Sequence, residues 1–396
     1  MIIRSFQIEN YKGFRDAQRV DLAPLTLFYG ENSSGKSALL RLLPWISESL
    51  ADKRPGPCLD GEVARDALWS DLAHVSSPHK PVKVSVEWSQ PSTSAAWEFR
   101  SANSAIGGEL QSLTLTGPGG TLSFEDDGDG GWEDWLEGVE GMLPRQQPGE
   151  LLKATGNSLM AYSLSTQWLR GVRLGIPRIE RYRAAAPSNL LASGEGVARF
   201  LYHWQRWGRS DRVRDAVELV LAFYRRLGFR LETTDVAPGF FRLDVAADGQ
   251  VTPVNLIDTG EGLTQVLAPL IALARAATGI GPRLVALEQP ELHLHTDAQV
   301  ELATSLIDAV NKGAQVMIET HSEVLFAAIQ LALARRELQP NMVKLYWVAR
   351  RPDGASVARP VTLDERGHVD GLWPMDAFDD LLKLKSALYR AYRGGE

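Results

Sequence analysis

The chain has 396 residues, of which 44% are hydrophobic and 23% are charged, and its formal net charge is −7. This composition is that of an ordinary soluble globular protein, and the length accommodates one large α/β domain with an insertion, or two domains. The acidic balance argues against a protein whose whole surface coats nucleic acid, although it permits a local basic patch. No apolar run approaches the ~18 residues that a membrane helix needs, so no membrane contact is expected. The single cysteine, Cys58, excludes an intramolecular disulfide and a cysteine-based metal site, and an N-terminus without a secretion signal favours a cytoplasmic location.

The N-terminal part of the chain is predicted to be rich in strands. Alternating apolar residues over 2–9 and a segment around 16–23 predict two of them, and the apolar run 25–29 predicts a third. A leucine-rich helix is predicted over 37–50. Further short strands are predicted at 82–88, 96–100, 110–116 and 121–125. Gly, Ser and Pro separate these strands, which is typical of an antiparallel meander.

The loop between the third strand and the helix has the Walker A pattern G-x-x-x-x-G-K-S. Gly30 and Gly35 permit backbone conformations that a Cβ would obstruct, so consecutive N–H groups can form an anion-binding nest at a helix N-terminus. Lys36 is predicted to neutralise phosphate charge, and the Ser37 hydroxyl to ligate Mg²⁺. The alternative is a Gly/Ser turn that matches by accident, which the flanking strand and helix disfavour. The residues predicted to contact the nucleotide here are Gly30, Glu31, Asn32, Ser33, Ser34, Gly35, Lys36, Ser37 and Ala38.

Residues 150–230 are predicted to be mostly helical, with tryptophans and apolar residues at helical spacing between 194 and 228. These aromatic side chains are interpreted as core rather than as a platform for stacking bases. Arginine is dense in this region and is interleaved with acidic residues. The region is therefore either a solvated face with ion pairs or a patch that binds nucleic acid or a partner. The arginines are Arg178, Arg181, Arg183, Arg206, Arg209, Arg212, Arg214, Arg225, Arg226 and Arg230.

The C-terminal part of the chain is predicted to alternate strands and helices. The predicted strands are 229–235, 240–246, 251–257, 283–288, 314–319, 342–349 and 356–363. The predicted helices are a long apolar one that begins within 258–265, and 296–311, 323–336 and 376–392. Such alternation from 283 onwards predicts a parallel sheet with helices packed on it.

Two of these strands end in polar residues. The apolar residues 284–287 are followed by Glu288, in the Walker B position where a carboxylate holds Mg²⁺, usually through water. The strand 314–319 likewise ends in a polar cluster that contains His321. Because ligands of an open α/β sheet bind at the carboxyl ends of its strands, we expect Ser37, Glu288 and His321 to converge. Ser37 and Glu288 are the predicted metal ligands.

Five motifs, in the order found here, resemble the ABC-type ATPase heads of the structural-maintenance-of-chromosomes (SMC), RecF and overcoming-lysogenization-defect group. They are F-x-I-E-N-Y-K-G-F, G-E-N-S-S-G-K-S, D-T-G-E-G-L-T-Q, E-Q-P-E-L-H-L-H and E-T-H-S-E, and they lie within residues 1–45 and 255–325. The chain is most similar to stand-alone bacterial AAA-family ATPases of this group that have no Toprim nuclease domain. The resemblance implies an α/β P-loop NTPase fold: an ABC-type head with an N-terminal antiparallel β part, a parallel-sheet core and a helical insertion.

The implied organisation has three parts. Residues 1–165 form the N-terminal lobe with the Walker A loop and the β meander. Residues 166–228 form the arginine-rich helical insertion. Residues 229–396 form the C-terminal lobe with the signature segment, the Walker B strand and the switch histidine. No long heptad run accompanies these parts, which excludes a coiled-coil arm.

Heads of this group dimerise with two ATP molecules sandwiched at the interface, so the resemblance implies a homodimer that uses ATP and Mg²⁺. The Walker A loop of one protomer then faces the signature segment of the other, here 258–265. Asp258, Gly260 and Gly262 are the implied nucleotide contacts from across the dimer, since the glycines let backbone N–H groups approach the γ-phosphate. His321 matches the switch histidine of the group. The implied catalytic residues are Lys36, Glu288, Gln289, Glu291 and His321.

One position departs from the pattern of these ATPases. They carry Asp and then Glu at the end of the Walker B strand, where this chain has Glu288 and then Gln289. A glutamine can orient water but cannot accept a proton as a general base. Glu291 or His321 is left to compensate. We therefore predict slow hydrolysis, with ATP acting largely as a dimerisation switch.

The sequence H-L-H at 293–295 raises the alternative of a metal site with Glu288 and Glu291. The group has Leu-His-Pro in this place as a structural turn, so a dedicated zinc site is disfavoured. Thr296 stands where the proline is usual and is predicted to cap the next helix.

Two functions are consistent with this sequence. The first is an ATPase that gates a separate effector protein, in bacterial defence against phage or plasmids. The segment after His321 holds no obvious acidic triad for a nuclease of its own. The second is a RecF-like DNA-binding ATPase in DNA repair, which predicts salt-sensitive DNA binding through the arginine-rich region 178–230. The expected partners are ATP, a second copy of the chain and an effector, with nucleic acid left open and no membrane.

Overall fold

The computed structural model describes residues 2–54, 56–89, 92–101, 107–125, 139–144, 153–156, 162–183, 185 and 187–370. The helix predicted near 376–392 lies outside the described residues. None of the helices within the described ranges is both long and apolar enough to span a membrane.

The chain folds into several sheets with helices packed on them. The strands, in chain order, are β1 (Ile3–Glu9), β2 (Gln18–Asp21), β3 (Leu25–Gly30), β4 (Val82–Ser89), β5 (Ser92–Ser101), β6 (Gly108–Gly117), β7 (Gly120–Glu125), β8 (Val139–Glu140), β9 (Leu143–Pro144), β10 (Thr166–Leu169), β11 (Glu180–Arg181), β12 (Phe229–Ala237), β13 (Phe240–Ala247), β14 (Val254–Asn255), β15 (Leu284–Glu288), β16 (Gln315–Glu319), β17 (Val343–Arg350), β18 (Ser356–Leu363) and β19 (Val369–Asp370). The helices are α1 (Lys36–Ala51), α2 (Trp69–Leu72), α3 (Val197–Trp207), α4 (Asp211–Arg226), α5 (Glu261–Gln265), α6 (Leu267–Thr278), α7 (Thr296–Asn311) and α8 (Glu323–Ala334).

The N-terminal sheet has six antiparallel strands in the order β2-β1-β4-β5-β6-β7. In β4, Val82, Val84 and Val86 are buried, while the residues between them are partly exposed. This period of two buries one face of the sheet. The buried face packs with α1 in one hydrophobic cluster, which includes Leu39 and Leu43. The predicted antiparallel meander is β4–β7 and is confirmed.

The core sheet has seven strands in the order β10-β15-β16-β3-β17-β18-β19, of which the first five run parallel. β3, β15 and β16 are buried along their whole length, as expected for strands that are covered on both faces. One face packs with α1, through residues such as Phe28, Ala286 and Met317. The other face packs with α6, α7 and α8, through residues such as Leu27 and Val285. The predicted parallel α/β core is confirmed.

The middle of the chain is less helical than its sequence pattern predicts. Within the insertion predicted at 166–228, residues Thr166–Leu169 instead form β10, which pairs in parallel with β15. α3 and α4 are the helices of the described residues between 162 and 230. They pack against α6 and β12, and β12 belongs to a separate antiparallel sheet with β13, β11 and β14. The three-part division of the chain stays a prediction.

The aromatic side chains of α3 and α4 differ in burial. Tyr224 is fully buried, and Trp204 is partly buried against the same cluster, as predicted for core residues. Trp207, in contrast, is 48% exposed. It is the last residue of α3, where the helix ends in Gly208, and it packs edge-on against Tyr202.

Candidate nucleotide site

The loop between β3 and α1 wraps around its own lysine. The Lys36 ammonium donates hydrogen bonds to the carbonyl oxygens of Gly30 and Glu31, at 2.9 and 2.6 Å. Lys36 is buried, and this burial lowers its pKa. Gly30 and Gly35 have φ angles of 143° and 109°, and a Cβ on Gly30 would lie 1.9 Å from the carbonyl oxygen of Val348. The backbone path of the loop therefore requires glycine at both positions.

The other residues predicted to contact the nucleotide lie in this loop or in the first turn of α1. Ser33 has a positive φ of 59°, and its carbonyl oxygen accepts a hydrogen bond from Arg350 Nε at 3.0 Å. Ser34 is buried, and its hydroxyl has no hydrogen-bond partner among the described residues. Asn32 is exposed, and Ala38 lies in the first turn of α1.

The carboxyl ends of β3, β16 and β15 lie side by side, because β16 pairs in parallel with both of the others. In this register Glu288 on β15 is the direct partner of Glu319 on β16, and Glu319 is also the partner of Phe28 on β3. A cleft of about 560 Å³ opens at this edge of the sheet. Its lining residues include Ser37, Arg41, Arg170, Glu288, Gln289 and Glu319.

Glu288 lies at the predicted position, and three residues hold its carboxylate. The Arg41 guanidinium forms a bidentate ion pair with it, at 2.5 Å from Nε to Oε1 and 2.8 Å from Nη2 to Oε2. The indole N–H of Trp168 donates to Oε1 at 3.0 Å, and the backbone N–H of Gly171 donates to Oε2 at 3.4 Å. Sequence reasoning missed Arg41, whose only signal was its place on the helix that follows the Walker A loop.

A second buried carboxylate, that of Glu319, faces the same cleft and was not predicted as a site residue. It is 7% exposed, and burial raises its pKa against the opposing effect of a hydrogen bond with the Ser37 hydroxyl. Its Oε2 atom has no hydrogen-bond partner among the described residues. The sequence signal was the same as for Glu288, namely an acidic residue that closes a buried apolar strand.

The other three predicted catalytic residues lie at different places around this edge. Gln289 lines the cleft. Glu291 does not line it; its carboxylate accepts hydrogen bonds from Thr320 Oγ1 at 2.5 Å and from the backbone N–H of His321 at 3.2 Å, and burial raises its pKa. Partial burial and then the charge of nearby Lys36 lower the pKa of His321. His321 therefore carries a neutral imidazole near pH 7.

The signature segment lies beside the turn that follows β15. Asp258 is ion-paired with Arg178, at N–O distances of 2.6 and 2.8 Å. Gly260 is exposed, has a φ of 104° and leaves open space where a Cβ would point. A Cβ on Gly262 would lie 2.4 Å from the carbonyl oxygen of His293, so this glycine is needed for close packing. None of the three predicted signature contacts is among the described residues that line the cleft of the same chain.

The protein-family model that describes an AAA ATPase domain matches residues 1–105 and 230–325, which together make up half of the chain. The chain belongs to this family. No curated protein matches it.

Two solved structures show the fold of this ATPase. One is an SMC head bound to the C-winged helix domain of ScpA, with a TM-score of 0.53 and 12% identity over 92% of this chain and 99% of that one. The other is an SMC head with an extended coiled coil, bound to the C-terminal domain of ScpA and derived from Pyrococcus furiosus. It gives a TM-score of 0.50 and 12% identity over 98% of this chain and 99% of that one. The predicted ABC-type head fold is therefore confirmed.

The H-L-H sequence of the ATPase does not form a metal site within the described residues. His293 lies 3.7 Å from Glu261 and His295 lies 3.9 Å from Asp297, and neither histidine belongs to a group of three metal-ligating side chains there. The predicted cap by Thr296 is wrong. Thr296 is the first residue of α7, and the N-cap is His295, which makes no side-chain cap. A residue already in helical conformation cannot serve as the N-cap.

Most of the arginines between 178 and 230 form ion pairs on the surface. The pairs are Arg178–Asp258, Arg199–Glu180, Arg206–Asp235, Arg214–Asp211, Arg225–Glu218, Arg226–Glu301 and Arg230–Glu232. Of the two interpretations of this region, the pairs favour the solvated face. They also reduce the uncompensated positive charge that binding of a phosphate backbone needs.

Proposed function

We propose that this ATPase binds ATP with Mg²⁺ in the cleft, dimerises around two nucleotides and hydrolyses them slowly. The observation that supports this most directly is that Ser37 and Glu288 line one cleft at the carboxyl edge of the parallel sheet, with Lys36 next to Ser37 at the start of α1. A lysine at a helix N-terminus suits a triphosphate, and a carboxylate beside a serine hydroxyl suits its metal ion.

The residues of the cleft fit Mg²⁺. The Ser37 hydroxyl and the Glu288 carboxylate are oxygen donors, the ligand type that this ion prefers. Oε2 of Glu319 adds a buried oxygen that lacks a hydrogen-bond partner among the described residues. Mg²⁺ held by the Ser37 hydroxyl and the Glu288 carboxylate would neutralise the negative charge that develops on the phosphate oxygens.

The side chains at this edge of the sheet support the proposal of slow hydrolysis. Lys36 exchanges its bonds to two loop carbonyls for bonds to phosphate oxygens, which suit its charge better. Gln289 orients water through its amide but cannot take a proton from it. The neutral imidazole of His321 can donate or accept a hydrogen bond near Lys36. Because its pKa is lowered, it is a weak base. We therefore expect a turnover below about 1 s⁻¹, the low end for typical enzymes.

Two features support closure of the cleft by a second copy of the chain. Val172 and Leu174 line the cleft and are 78% and 52% exposed, which leaves an apolar rim that another protein surface can cover. The signature segment does not line its own cleft, and Gly260 leaves open space at the start of α5. In a dimer with two-fold symmetry, this segment of each protomer would contact the cleft of the other.

We also propose that the ATP-dependent dimer gates a separate effector protein, in bacterial defence against phage or plasmids. Both similar SMC heads are bound to a domain of another protein, ScpA, which supports the use of a head surface for a protein partner. A DNA-binding ATPase in repair is the weaker alternative, because most arginines that it would use are ion-paired.

ATP-dependent dimerisation tests this proposal. In sedimentation velocity with ATP and Mg²⁺, the wild-type chain should form a dimer, whereas Val172→Glu should stay monomeric because it places a charge on the apolar rim. Val75→Glu is the matched control, since Val75 is 86% exposed and does not line the cleft. Lys36→Ala should lose nucleotide binding itself. A wild-type chain that stays monomeric with bound ATP, or that turns over well above about 1 s⁻¹, contradicts the proposal.

A further inference from the structure

We propose that Glu319 is a second carboxylate ligand of the divalent cation, beside Glu288, and that Arg41 competes with the cation for Glu288. This inference deepens the proposed function and rests on it, because it concerns the same nucleotide cleft. The sequence motifs assign neither role, since they place a single acidic ligand at the end of β15.

The register of the parallel strands places both carboxylates on one face of the core sheet. Glu288 and Glu319 are direct partners, and paired residues of parallel strands point to the same face. That face is the one that α1 covers, because Ala286 and Met317, two positions earlier on each strand, pack in the cluster that contains α1. Ser37 lies in the first turn of α1 and lines the same cleft as the two glutamates. Three oxygen-bearing side chains thus face one another at the cleft.

One oxygen of Glu319 is unpaired although the side chain is buried. Glu319 is 7% exposed, and its Oε2 makes no hydrogen bond with any described residue. A buried carboxylate oxygen without a partner costs free energy unless water or a cation satisfies it. Glu319 also lines the cleft, which is the space proposed for the nucleotide and its metal.

Both carboxylate oxygens of Glu288, in contrast, already accept hydrogen bonds from charged and neutral donors. Both of its oxygens bond the Arg41 guanidinium, and each accepts one further hydrogen bond. A guanidinium and a metal ion use the same carboxylate lone pairs, so a metal ion must displace Arg41 to ligate Glu288 directly. Because the affinity of an oxygen site for a cation rises with the number of charged ligands, a second carboxylate offsets this competition. We expect the site to bind a divalent cation without nucleotide.

Binding of Mn²⁺ to the nucleotide-free full chain tests this inference. Free Mn²⁺ is followed by electron paramagnetic resonance during titration, and the wild type should bind one ion. Glu319→Gln keeps the shape of the side chain but removes its charge, and should weaken this binding by about tenfold or more. Arg41→Gln should tighten it several-fold by removing the competing cation. Thermal melts of each variant establish that it is folded.

Glu291→Gln is the matched control for the loss of one buried negative charge. Glu291 is also a buried carboxylate with an unpaired oxygen, but it bonds Thr320 and the backbone of His321 and does not line the cleft. Its exchange should change Mn²⁺ affinity far less than Glu319→Gln does. If Glu319→Gln misfolds, Glu319→Asp, which withdraws the carboxylate by one methylene, should weaken binding in the same direction.

Several outcomes would overturn the inference. They are a wild type that binds no Mn²⁺, a Glu319→Gln variant with wild-type affinity, an equal loss in Glu291→Gln, or an Arg41→Gln variant with no gain. Binding of a fluorescent ATP analogue in excess chelator separates this result from the proposed function. Failure of the wild type to bind the analogue counts against the nucleotide site itself. Normal binding of the analogue, together with a Mn²⁺ affinity that Glu319→Gln leaves unchanged, counts only against Glu319 as a second ligand.

Discussion

The wall of the cleft combines two buried glutamates with four arginines. Arg41 and Arg65 both lie near the ring of Trp168, at 5.4 and 5.8 Å from its centre. Burial and then the charge of Arg41 lower the pKa of Arg65, as expected where two like charges lie close together. A bound triphosphate relieves such repulsion, so the excess of positive charge suits a polyanionic ligand.

The exchange Gln289→Glu should raise the rate of ATP hydrolysis by about 100-fold or more, because it supplies a general base at the position that lines the cleft. The measurement is steady-state release of phosphate at saturating ATP. Gln289→Ala is the control, since it removes the amide without adding a base and should not accelerate hydrolysis. An unchanged rate in Gln289→Glu would show that residue 289 does not limit hydrolysis.

Among single residues, the sequence identifies those whose role follows from a local motif. The path of the Walker A loop around Lys36 depends on neighbouring backbone, and Glu288 closes a strand of characteristic pattern, so both are predictable. Arg41 and Glu319 were missed for different reasons. The contact of Arg41 with Glu288 depends on how α1 lies on the sheet, which no local pattern shows. Glu319 has the same strand-end signal as Glu288, but the motif directs attention to the following histidine.

Among the helices and strands, those with strong periodicity and local contacts have bounds that agree best with the prediction from sequence. The helix predicted at 296–311 and the strand predicted at 356–363 have the observed bounds. The four-residue strand β10 was not predicted, because it is short and contains polar Thr166 and Gln167. Its place in the core sheet comes from pairing with the distant β15, which is a tertiary interaction.

The three strands β1, β2 and β4 are joined by Glu87, which predicts a pH dependence of stability. Its carboxylate accepts two hydrogen bonds from Arg19, both at 2.8 Å, and one from Ser5 Oγ at 2.9 Å. The Arg19 bonds lower the pKa of Glu87 to about 2. An unfolded glutamate has a pKa of about 4.3. The stabilisation is therefore complete above that value and is lost as the pH falls toward 2.

Arg19→Ala should lower Tm modestly at pH 7, since the pair is partly exposed, and less at pH 3. The measurement is thermal denaturation of both chains at the two pH values. Lys344→Ala, at an exposed strand position, is the control and should show no such difference between pH values. An equal decrease in Tm at pH 7 and pH 3 would contradict the role of Glu87.

Across the entire fold, Arg173 connects the proposed nucleotide cleft to the signature segment. It is 3% exposed, and burial lowers its pKa to about 10, so it stays charged at neutral pH. Its guanidinium donates to the carbonyl oxygens of Glu288 and Gln289 on one side, at 3.2 and 3.5 Å, and to that of Gln265 on the other, at 3.1 Å. Gln265 ends α5, and its amide returns a hydrogen bond to the carbonyl of Arg173 at 3.2 Å. The turn after β15 and the signature helix are thereby held in one arrangement.

Arg173→Ala should abolish ATP-dependent dimerisation, because the signature helix loses its anchor. It should weaken the binding of ATP only in part, because one of the four cleft arginines is lost while the Walker A loop is untouched. The carbonyls that lose their donor should cost about 1–3 kcal/mol each in free energy of unfolding, less where water replaces the arginine. Titration with a fluorescent ATP analogue and sedimentation velocity measure the two effects separately.

Arg178→Ala is the control on the same segment. It removes an exposed ion pair with Asp258, so it should cost at most about 1 kcal/mol in free energy of unfolding and should keep the dimer. If Arg173→Ala dimerised with ATP as the wild type does, the anchoring of the signature segment through Arg173 would be irrelevant to assembly.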